Sequence, residues 1–255
     1  MSRFDVDQLL ALREAERAFE KRTGRGAKKE VQALINKIRS EKLSAPAMPL
    51  ENLCWGVSDW ASLGVHFDKR QLKQAREFPY GEILSAPCPF YPGRTIQETH
   101  FVVLYIKVIN GQSLTVMKLQ DLFPAAGQPR FSVYGADCWY HNHDFALKAA
   151  GQFGWRLLLA EIVPNSTEKE YEQQEAMLPA EYEVASIRLE IIKDLFSHKK
   201  NGYYPNEGRS ARCSDISAGG RLSVDCSAVG GVNVGRWGVD ADWYIGVSAS
   251  RKFPA

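Results

Sequence analysis

The sequence predicts an α+β fold in which an N-terminal helical hairpin precedes a mixed antiparallel β/α domain that ends in a small β-module. Three observations support this prediction. Apolar residues recur at helical spacing near the N-terminus, an Asn110-Gly111 turn separates two strand-like runs, and short alternating strands parted by glycines fill the last fifty residues. The predicted boundaries are 1–45 for the hairpin and 46–255 for the domain, with the β-module at about 203–255.

Composition places the chain among globular proteins and excludes several classes of function. Of its 255 residues, 45% are hydrophobic and 24% are charged, and a net charge of +2 lacks the basic balance of a nucleic-acid-binding domain. Five cysteines without a CxxC pair argue against a disulfide framework and a cysteine-based zinc site. We recognise neither a signal peptide nor an apolar run of membrane-spanning length. The sequence therefore predicts a cytoplasmic protein with no membrane partner and no cofactor.

The first forty-five residues are predicted to form two helices with a basic surface. Their apolar faces consist of Leu9, Leu10, Leu12, Ala15 and Phe19 in one helix and of Val31, Leu34, Ile35 and Ile38 in the other. Eleven Lys/Arg residues against seven Asp/Glu give this segment a local charge of +4. The solvated face of a cap or oligomerisation helix explains that charge, and docking on nucleic acid is the alternative.

Between the hairpin and the β-module, the sequence predicts an alternation of helices and strands. The strongest signal is a β-hairpin, because the β-branched and aromatic run Phe101–Ile109 is followed by Asn110-Gly111 and a second strand-like run. The other predicted elements are a helix at Lys69–Glu77, a helix at Tyr140–Gln152, a strand at Trp155–Val163, a polar helix capped by Thr167 and Glu170, and a helix from Glu181 to Asn201-Gly202.

The β-module is predicted from three short runs in which apolar and polar residues alternate. The inward residues would be Leu222, Val224, Cys226, Val232, Val234, Trp243, Ile245, Val247 and Ala249. Their polar neighbours would then point outward, including Gly246, Ser248 and Ser250 in the last run. Such a mixture of aromatic and small polar residues is typical of an adaptable binding surface, although an ordinary solvated sheet face has the same pattern.

This C-terminal region also resembles a known family. The order Gly219-Gly220, Gly230-Gly231-Val232-Asn233-Val234, Trp237, two aspartates and Gly246–Arg251 resembles the end of a C-type-lectin-type domain. The similarity is greatest to formylglycine-generating-enzyme-like proteins and to the variable proteins of diversity-generating retroelements. The resemblance implies short strands and loops whose exposed positions, in the variable proteins, are diversified to change the ligand.

Two departures limit what the resemblance implies. The enzymatic branch relies on a reactive cysteine pair, and the spacing of Cys213 and Cys226 does not match it. No calcium-loop pattern of closely spaced carboxylates occurs at lectin spacing. The preceding stretches, among them Pro87-Cys88-Pro89-Phe90, resemble only an uncharacterised bacterial family.

From these residues we expect a non-catalytic ligand- or protein-binding protein. Its target, an unidentified protein or small molecule, would be recognised by the polar face and loops of the C-type-lectin-like β-module. The candidate ligand-binding residues are Arg221, Ser223, Asp225, Asn233, Arg236, Trp237, Asp240, Asp242 and Tyr244.

The alternative is a metal-dependent enzyme centred on His141 and His143. Both imidazoles lie close in sequence to Cys138 and Asp144, and these residue types bind transition metals. The two histidines would share one face only in an extended segment, so a helix that begins at this point would separate them. A Glu98–His100 acid–base pair is a further candidate, although a histidine at the start of a buried strand is more often structural.

The resemblance to diversified proteins makes a prediction about DNA. The segment that encodes Ser210 to Phe253 should have a near-copy beside a reverse-transcriptase gene, with mismatches mainly at adenines. Sequencing the surrounding locus measures this directly. A locus without such a copy would mean that the ligand of this protein is fixed.

Overall fold

The computed structural model describes residues 53–76, 81–124, 127–149 and 151–252. Within these ranges the chain is an α+β protein with three β-sheets and seven α-helices, as predicted. The expected helical hairpin at 1–45, and the boundary that follows it, lie outside the described residues. No helix in the described ranges is both long enough and apolar enough to cross a membrane.

The secondary structure is dominated by short elements. The strands are β1 (Cys54–Trp55), β2 (His100–Tyr105), β3 (Val108–Ile109), β4 (Gln112–Ser113), β5 (Gly154–Leu159), β6 (Tyr182–Glu183), β7 (Ser210–Ser217), β8 (Gly220–Ser227), β9 (Gly231–Trp237), β10 (Ile245–Val247) and β11 (Ser250–Arg251). The α-helices are α1 (Val57–Ala61), α2 (Lys69–Arg76), α3 (Gly81–Leu84), α4 (Val116–Leu122), α5 (Asp144–Leu147), α6 (Tyr171–Glu175) and α7 (Ile187–Asn201). Single 3₁₀ turns occur at Ile96–Glu98 and Gly135–Asp137.

Five strands form the first sheet in the order β1-β2-β5-β11-β6. Only the β1–β2 pair is parallel, and β2 pairs with β5 along its whole length, from His100 opposite Leu159 to Tyr105 opposite Gly154. All six residues of β2 are buried. A strand covered on both faces has a nearly continuous apolar sequence, which explains why this run gave such a strong signal.

The second sheet has the order β10-β7-β8-β9 and carries the predicted β-module. Strands β7, β8 and β9 form an antiparallel meander, and β10 adds in parallel beside β7. The β7–β8 turn places positive φ angles of 47° and 79° at Ala218 and Gly219, as a type I′ hairpin turn requires. Leu222, Val224 and Val234 lie in the core, as the alternation predicted.

The outer edge of β9 is covered by the preceding loop. The Val232 N–H donates to the Arg130 carbonyl, at 2.7 Å, and the Val232 carbonyl accepts from the Ser132 N–H, at 2.8 Å. The indole N–H of Trp139 donates to the Val234 carbonyl at 2.8 Å. Several main-chain groups that an edge strand would otherwise expose are therefore already paired.

Helix α7 contacts strands of both large sheets, namely β2 of the first and β7, β8 and β9 of the second. The eleven residues from Ile187 to Ser197 are all buried. The Ser186 hydroxyl caps the helix start by accepting from the Leu189 N–H, and Gly202 ends it at a φ of 75°. The predicted end is thus confirmed, whereas the predicted start at Glu181 is wrong because Tyr182–Glu183 pairs as β6.

The last described residues join the two sheets, and here the sequence prediction of one continuous strand is wrong. Strand β10 belongs to the second sheet and β11 to the first, with Ser248-Ala249 between them. Because this segment is covered by protein on several sides, Gly246, Ser248 and Ser250 are buried instead of facing solvent. Trp243 was expected in the core, but it precedes β10 and is 41% exposed.

Four further elements differ from the prediction. After the Asn110-Gly111 turn the partner strand β4 has only two residues, because Thr115 caps helix α4 by accepting from the Lys118 N–H. The expected helix at Tyr140–Gln152 is reduced to the four residues of α5. Helix α6 is capped by Glu170 and not by Thr167, and strand β7 was not predicted at all.

Two other elements begin close to where the sequence predicted them. Helix α2 lies within the predicted Lys69–Glu77, and strand β5 begins within a residue of the predicted Trp155. Strand β5 ends at Leu159, before the predicted Val163. The remaining residues of that run continue as a loop whose Val163 N–H donates to the Val247 carbonyl.

Replacing Gly246 by alanine should destabilise the fold. A Cβ at this position would lie 2.4 Å from Ile162 Cδ1 and 2.6 Å from Ser166 Oγ, so the packing between β10 and its neighbours must shift. We expect the free energy of unfolding, measured by urea denaturation, to fall by about 1–3 kcal/mol. Gly81→Ala is the matched control, since no atom lies within 4 Å of the added Cβ. Equal stability of the two variants would contradict this packing.

Candidate binding surface

The polar face of the second sheet carries most of the predicted ligand-binding residues on β8 and β9. In register, Arg221 lies opposite Trp237 and Asp225 lies opposite Asn233. The Asn233 side-chain amide donates to the Asp225 carboxylate at 3.2 Å. Arg236 is the exception, because residues on one strand alternate between faces. Its guanidinium lies over the ring of Trp139, 5.7 Å from the ring centroid, so its assignment to the polar face was wrong.

Ser223 is on the polar face but is fully buried, which contradicts its prediction as a surface residue. Gly235 lies directly opposite it on β9. A Cβ on Gly235 would lie 2.9 Å from Ser223 Oγ and 3.2 Å from Trp237 Nε1. Because Gly235 has no side chain, the Trp237 indole can pack over it, close to Ser223.

The loop between β9 and β10 supplies Asp240 and Asp242 and is fixed by its main chain. The Asp240 carbonyl accepts from Nη2 of the buried Arg212 at 2.8 Å. Two further carbonyls, of Val239 and Asp242, accept from the Tyr171 and Glu168 N–H groups at 3.0 and 2.7 Å. The loop is thus held against the segment that contains α6, while the side chain of Asp240 remains exposed.

Trp237, Trp243 and Tyr244 meet at the ends of this loop, and we call these three residues the aromatic corner. The ring centroids of Trp237 and Tyr244 are 5.4 Å apart at an interplanar angle of 81°. Those of Trp243 and Tyr244 are 5.3 Å apart at 59°. Trp237 is 36% exposed, and Val239 within the loop is 56% exposed. Sequence reasoning missed Val239, although its position in a Gly/Asp-rich loop between two tryptophans was a usable signal.

Charged side chains of both signs lie near the aromatic corner. Burial, and to a lesser extent the nearby carboxylates of Asp242 and Asp225, raise the pKa of the Tyr244 phenol to about 12. The Arg221 guanidinium is directed to other partners, since it lies 3.8 Å from the Tyr171 ring centroid and donates to the Ser214 carbonyl. The buried Arg212 interacts with the charges of Asp242 and Asp240, so the corner combines exposed aromatic rings with acidic side chains whose charge is partly offset.

The structure does not bring His141 and His143 to a common ligand position. His141 Nδ1 is 2.9 Å from the Cys138 carbonyl oxygen and its Nε2 is 2.6 Å from Asn142 Nδ2. His143 Nδ1 is instead 2.7 Å from Ser217 Oγ. In the described ranges, no three His, Cys, Asp or Glu side chains are grouped so that they could hold a metal ion. The donor set that a metal-dependent enzyme would need is therefore not found around these two residues.

The predicted Glu98–His100 pair is wrong. The Glu98 carboxylate accepts from the N–H and hydroxyl of Thr95, which caps the 3₁₀ turn. His100 is fully buried, with Nδ1 2.9 Å from Thr99 Oγ1 and Nε2 3.1 Å from the Tyr182 hydroxyl. Burial lowers the pKa of His100 to about 3, so the imidazole is neutral and structural.

His100 should make the protein sensitive to acid. Its pKa is about 3 when folded and 6.5 as an ordinary histidine, so unfolding takes up a proton at any pH between these values. Its contribution is fully present above pH 6.5 and should be lost by about 1.4 kcal/mol per pH unit as the pH falls below that value. Urea denaturation at pH 7 and pH 5 measures this, and His100→Asn should show a smaller loss. An NMR titration of His100 with a midpoint near 6.5 would contradict its burial.

Comparison with known proteins does not identify a function, so the function is inferred from the observations above. The chain matches no family model, no curated protein and no solved structure. The resemblance of the C-terminal region to lectin-type domains consequently stays a prediction from the sequence. Function must be inferred from the residues of the site and not from the fold.

Proposed function

We propose that this protein binds a partner protein through the aromatic corner and the adjoining 238–242 loop. The observation that carries this proposal is that the Tyr244 ring packs against both Trp237 and Trp243 while both tryptophans remain more than a third exposed. Tryptophan and tyrosine are enriched at the energetic centres of protein interfaces. Exposed Val239 extends the apolar area, and Asp240 provides a polar rim beside it.

The rigidity of the loop supports the proposal. Three of its main-chain carbonyls are bound by Arg212, Tyr171 and Glu168, as described above. Arg212 is itself buried and donates to Gln174 Oε1 at 2.9 Å, which ties it to helix α6. A surface that is already ordered loses little conformational entropy on binding, so more of the contact energy contributes to affinity.

The chemistry of three cysteines argues against thiol catalysis at these residues. Burial raises the pKa of the Cys213 and Cys226 thiols well above the usual value, so both stay protonated at neutral pH. Burial also raises the pKa of Cys54 to about 11. A thiol acts as a nucleophile only as the thiolate, so none of these three cysteines is activated for the oxidase chemistry of the formylglycine-generating branch.

Binders selected against the full-length protein from a displayed library of random peptides should depend on the aromatic corner. We expect the double substitution Trp237→Ala/Trp243→Ala to weaken selected binders at least about tenfold, because interface tryptophans typically contribute more than 1.4 kcal/mol. Dissociation constants measured by biolayer interferometry provide the readout. Val229→Ala is the control, since Val229 is 69% exposed in the β8–β9 turn, at the opposite end of the same hairpin from Trp237.

A second variant distinguishes a change in the binding surface from unfolding of the protein. Gly235→Ala retains every aromatic side chain but places a Cβ 3.2 Å from Trp237 Nε1, so it should displace the ring and weaken binding as well. Circular dichroism establishes that each variant is folded. Selected binders whose affinity survives both the double substitution and Gly235→Ala would refute the proposed surface.

A further inference from the structure

We propose that one water molecule is bound in a cavity between helix α7 and strands β1 and β2, where it accepts hydrogen bonds from Trp55 and Lys193. The site shares no residue with the aromatic corner, so this inference does not depend on the proposed function. It rests on the size of the cavity and on the polar groups at its wall.

The cavity is small and mainly apolar. Its wall includes side chains of β2 and α7, among them Phe101, Val103 and Phe196. The centre of a water molecule can occupy about 10 Å³ of this space, which is close to the minimum that a bound water needs. The cavity therefore suits a single water molecule and not a larger ligand.

The Trp55 indole is the first polar group at the wall. Its ring is stacked on Phe196, with centroids 3.3 Å apart at an interplanar angle of 12°, and the residue is only 2% exposed. Within the part of the chain that the structure describes, the indole nitrogen has no hydrogen-bond partner. A buried donor without an acceptor is rare in folded proteins, and a bound water supplies the acceptor in many such cases.

The neighbouring Trp60 shows how an indole in this region is otherwise satisfied. Its ring centroid lies 6.3 Å from that of Trp55, and the residue is fully buried. The Trp60 indole N–H donates to the Leu104 carbonyl at 2.7 Å. The main chain of β2 thus provides an acceptor for Trp60, whereas an acceptor for Trp55 has to come from the cavity.

Lys193 is the second polar group at the wall. An ammonium group has three protons, and the buried Lys193 directs two of them to the Glu190 carboxylate and to the Leu159 carbonyl, the latter at 3.4 Å. The third proton is left for an acceptor in the cavity that Lys193 lines. A buried water makes about three hydrogen bonds, so one water oxygen can accept from both Trp55 and Lys193.

The charges at the wall favour water over an anion. Lys193 forms an ion pair with Glu190, and Lys200 forms one with Asp59 at 2.9 Å. Both ammonium charges are therefore already compensated by carboxylates. A buried anion would add an uncompensated negative charge, whereas a water molecule adds none.

NMR of the full-length, ¹⁵N-labelled protein tests the site without any change to the chain. Selective inversion of the water signal should give a nuclear Overhauser effect at the Trp55 indole proton, because the bound water lies within hydrogen-bonding distance of it. The Trp60 indole proton is equally buried but bound to Leu104, so it should give none. The variants Trp55→Phe and Trp60→Phe serve only to identify the two signals.

Relaxation dispersion of water labelled with ¹⁷O provides a second readout, since it does not detect the exchangeable protons of Lys193. Val103→Ile adds a methylene group at the cavity wall and should remove about one long-lived water molecule from the protein. Val108→Ile is the matched control, because it adds the same group to a residue that is 39% exposed and should leave the number unchanged. Circular dichroism establishes that both variants are folded.

The expected result is an Overhauser effect at Trp55 together with the loss of one long-lived water in Val103→Ile. The proposal is overturned if neither indole proton shows the effect, or if Val103→Ile and the unchanged protein hold the same number of long-lived waters. A saturable shift of the Trp55 signal during titration with sodium chloride would also overturn it, because the occupant would then be an anion.

Discussion

The fold depends on how helix α7 compensates the charges that it buries between two sheets. Lys193 is completely buried, and its ammonium group donates to the Glu190 carboxylate one turn earlier. The same carboxylate accepts from Asn206 Nδ2 at 2.8 Å. Burial acts to lower the pKa of Lys193, but the Glu190 and Asp194 carboxylates outweigh it and hold that pKa above the usual value. A buried charge without such partners would cost several kcal/mol, so both sheets depend on this pairing.

The position of α7 also explains how the candidate surface is held in place. Its inner contacts fix β7, β8 and β9, and the chain then leaves β9, forms the loop of the aromatic corner and returns through β10 to β11. Both strands that flank the loop, β9 and β10, belong to the second sheet, and β11 then ties the chain to β5 and β6 of the first sheet. The surface therefore combines exposed side chains with a fixed backbone.

The sequence predicted those parts of the structure that depend on local pattern. The Asn110-Gly111 turn, the end of α7 at Gly202 and the inward positions of β8 and β9 follow from turn chemistry, helix capping and alternation. Trp243 and the buried serines near the C-terminus were misplaced, because a segment that changes sheets is covered on several sides and no longer alternates. Ser223 was misplaced because alternation does not reveal the neighbouring indole. Arg236 was misplaced although strict alternation puts it on the same face as Val232 and Val234.

The covered edge of β9 has a consequence for how the protein behaves at high concentration. Where exposed aromatic groups lie close to an open strand edge, a second copy of the chain can pair its own strand with that edge. Repeated pairing of this kind leads to aggregates. Here the loop at 130–132 and the Trp139 indole already occupy main-chain groups of that strand. The protein can therefore expose aromatic side chains while these main-chain groups of β9 are not available to pair with a strand of a second copy.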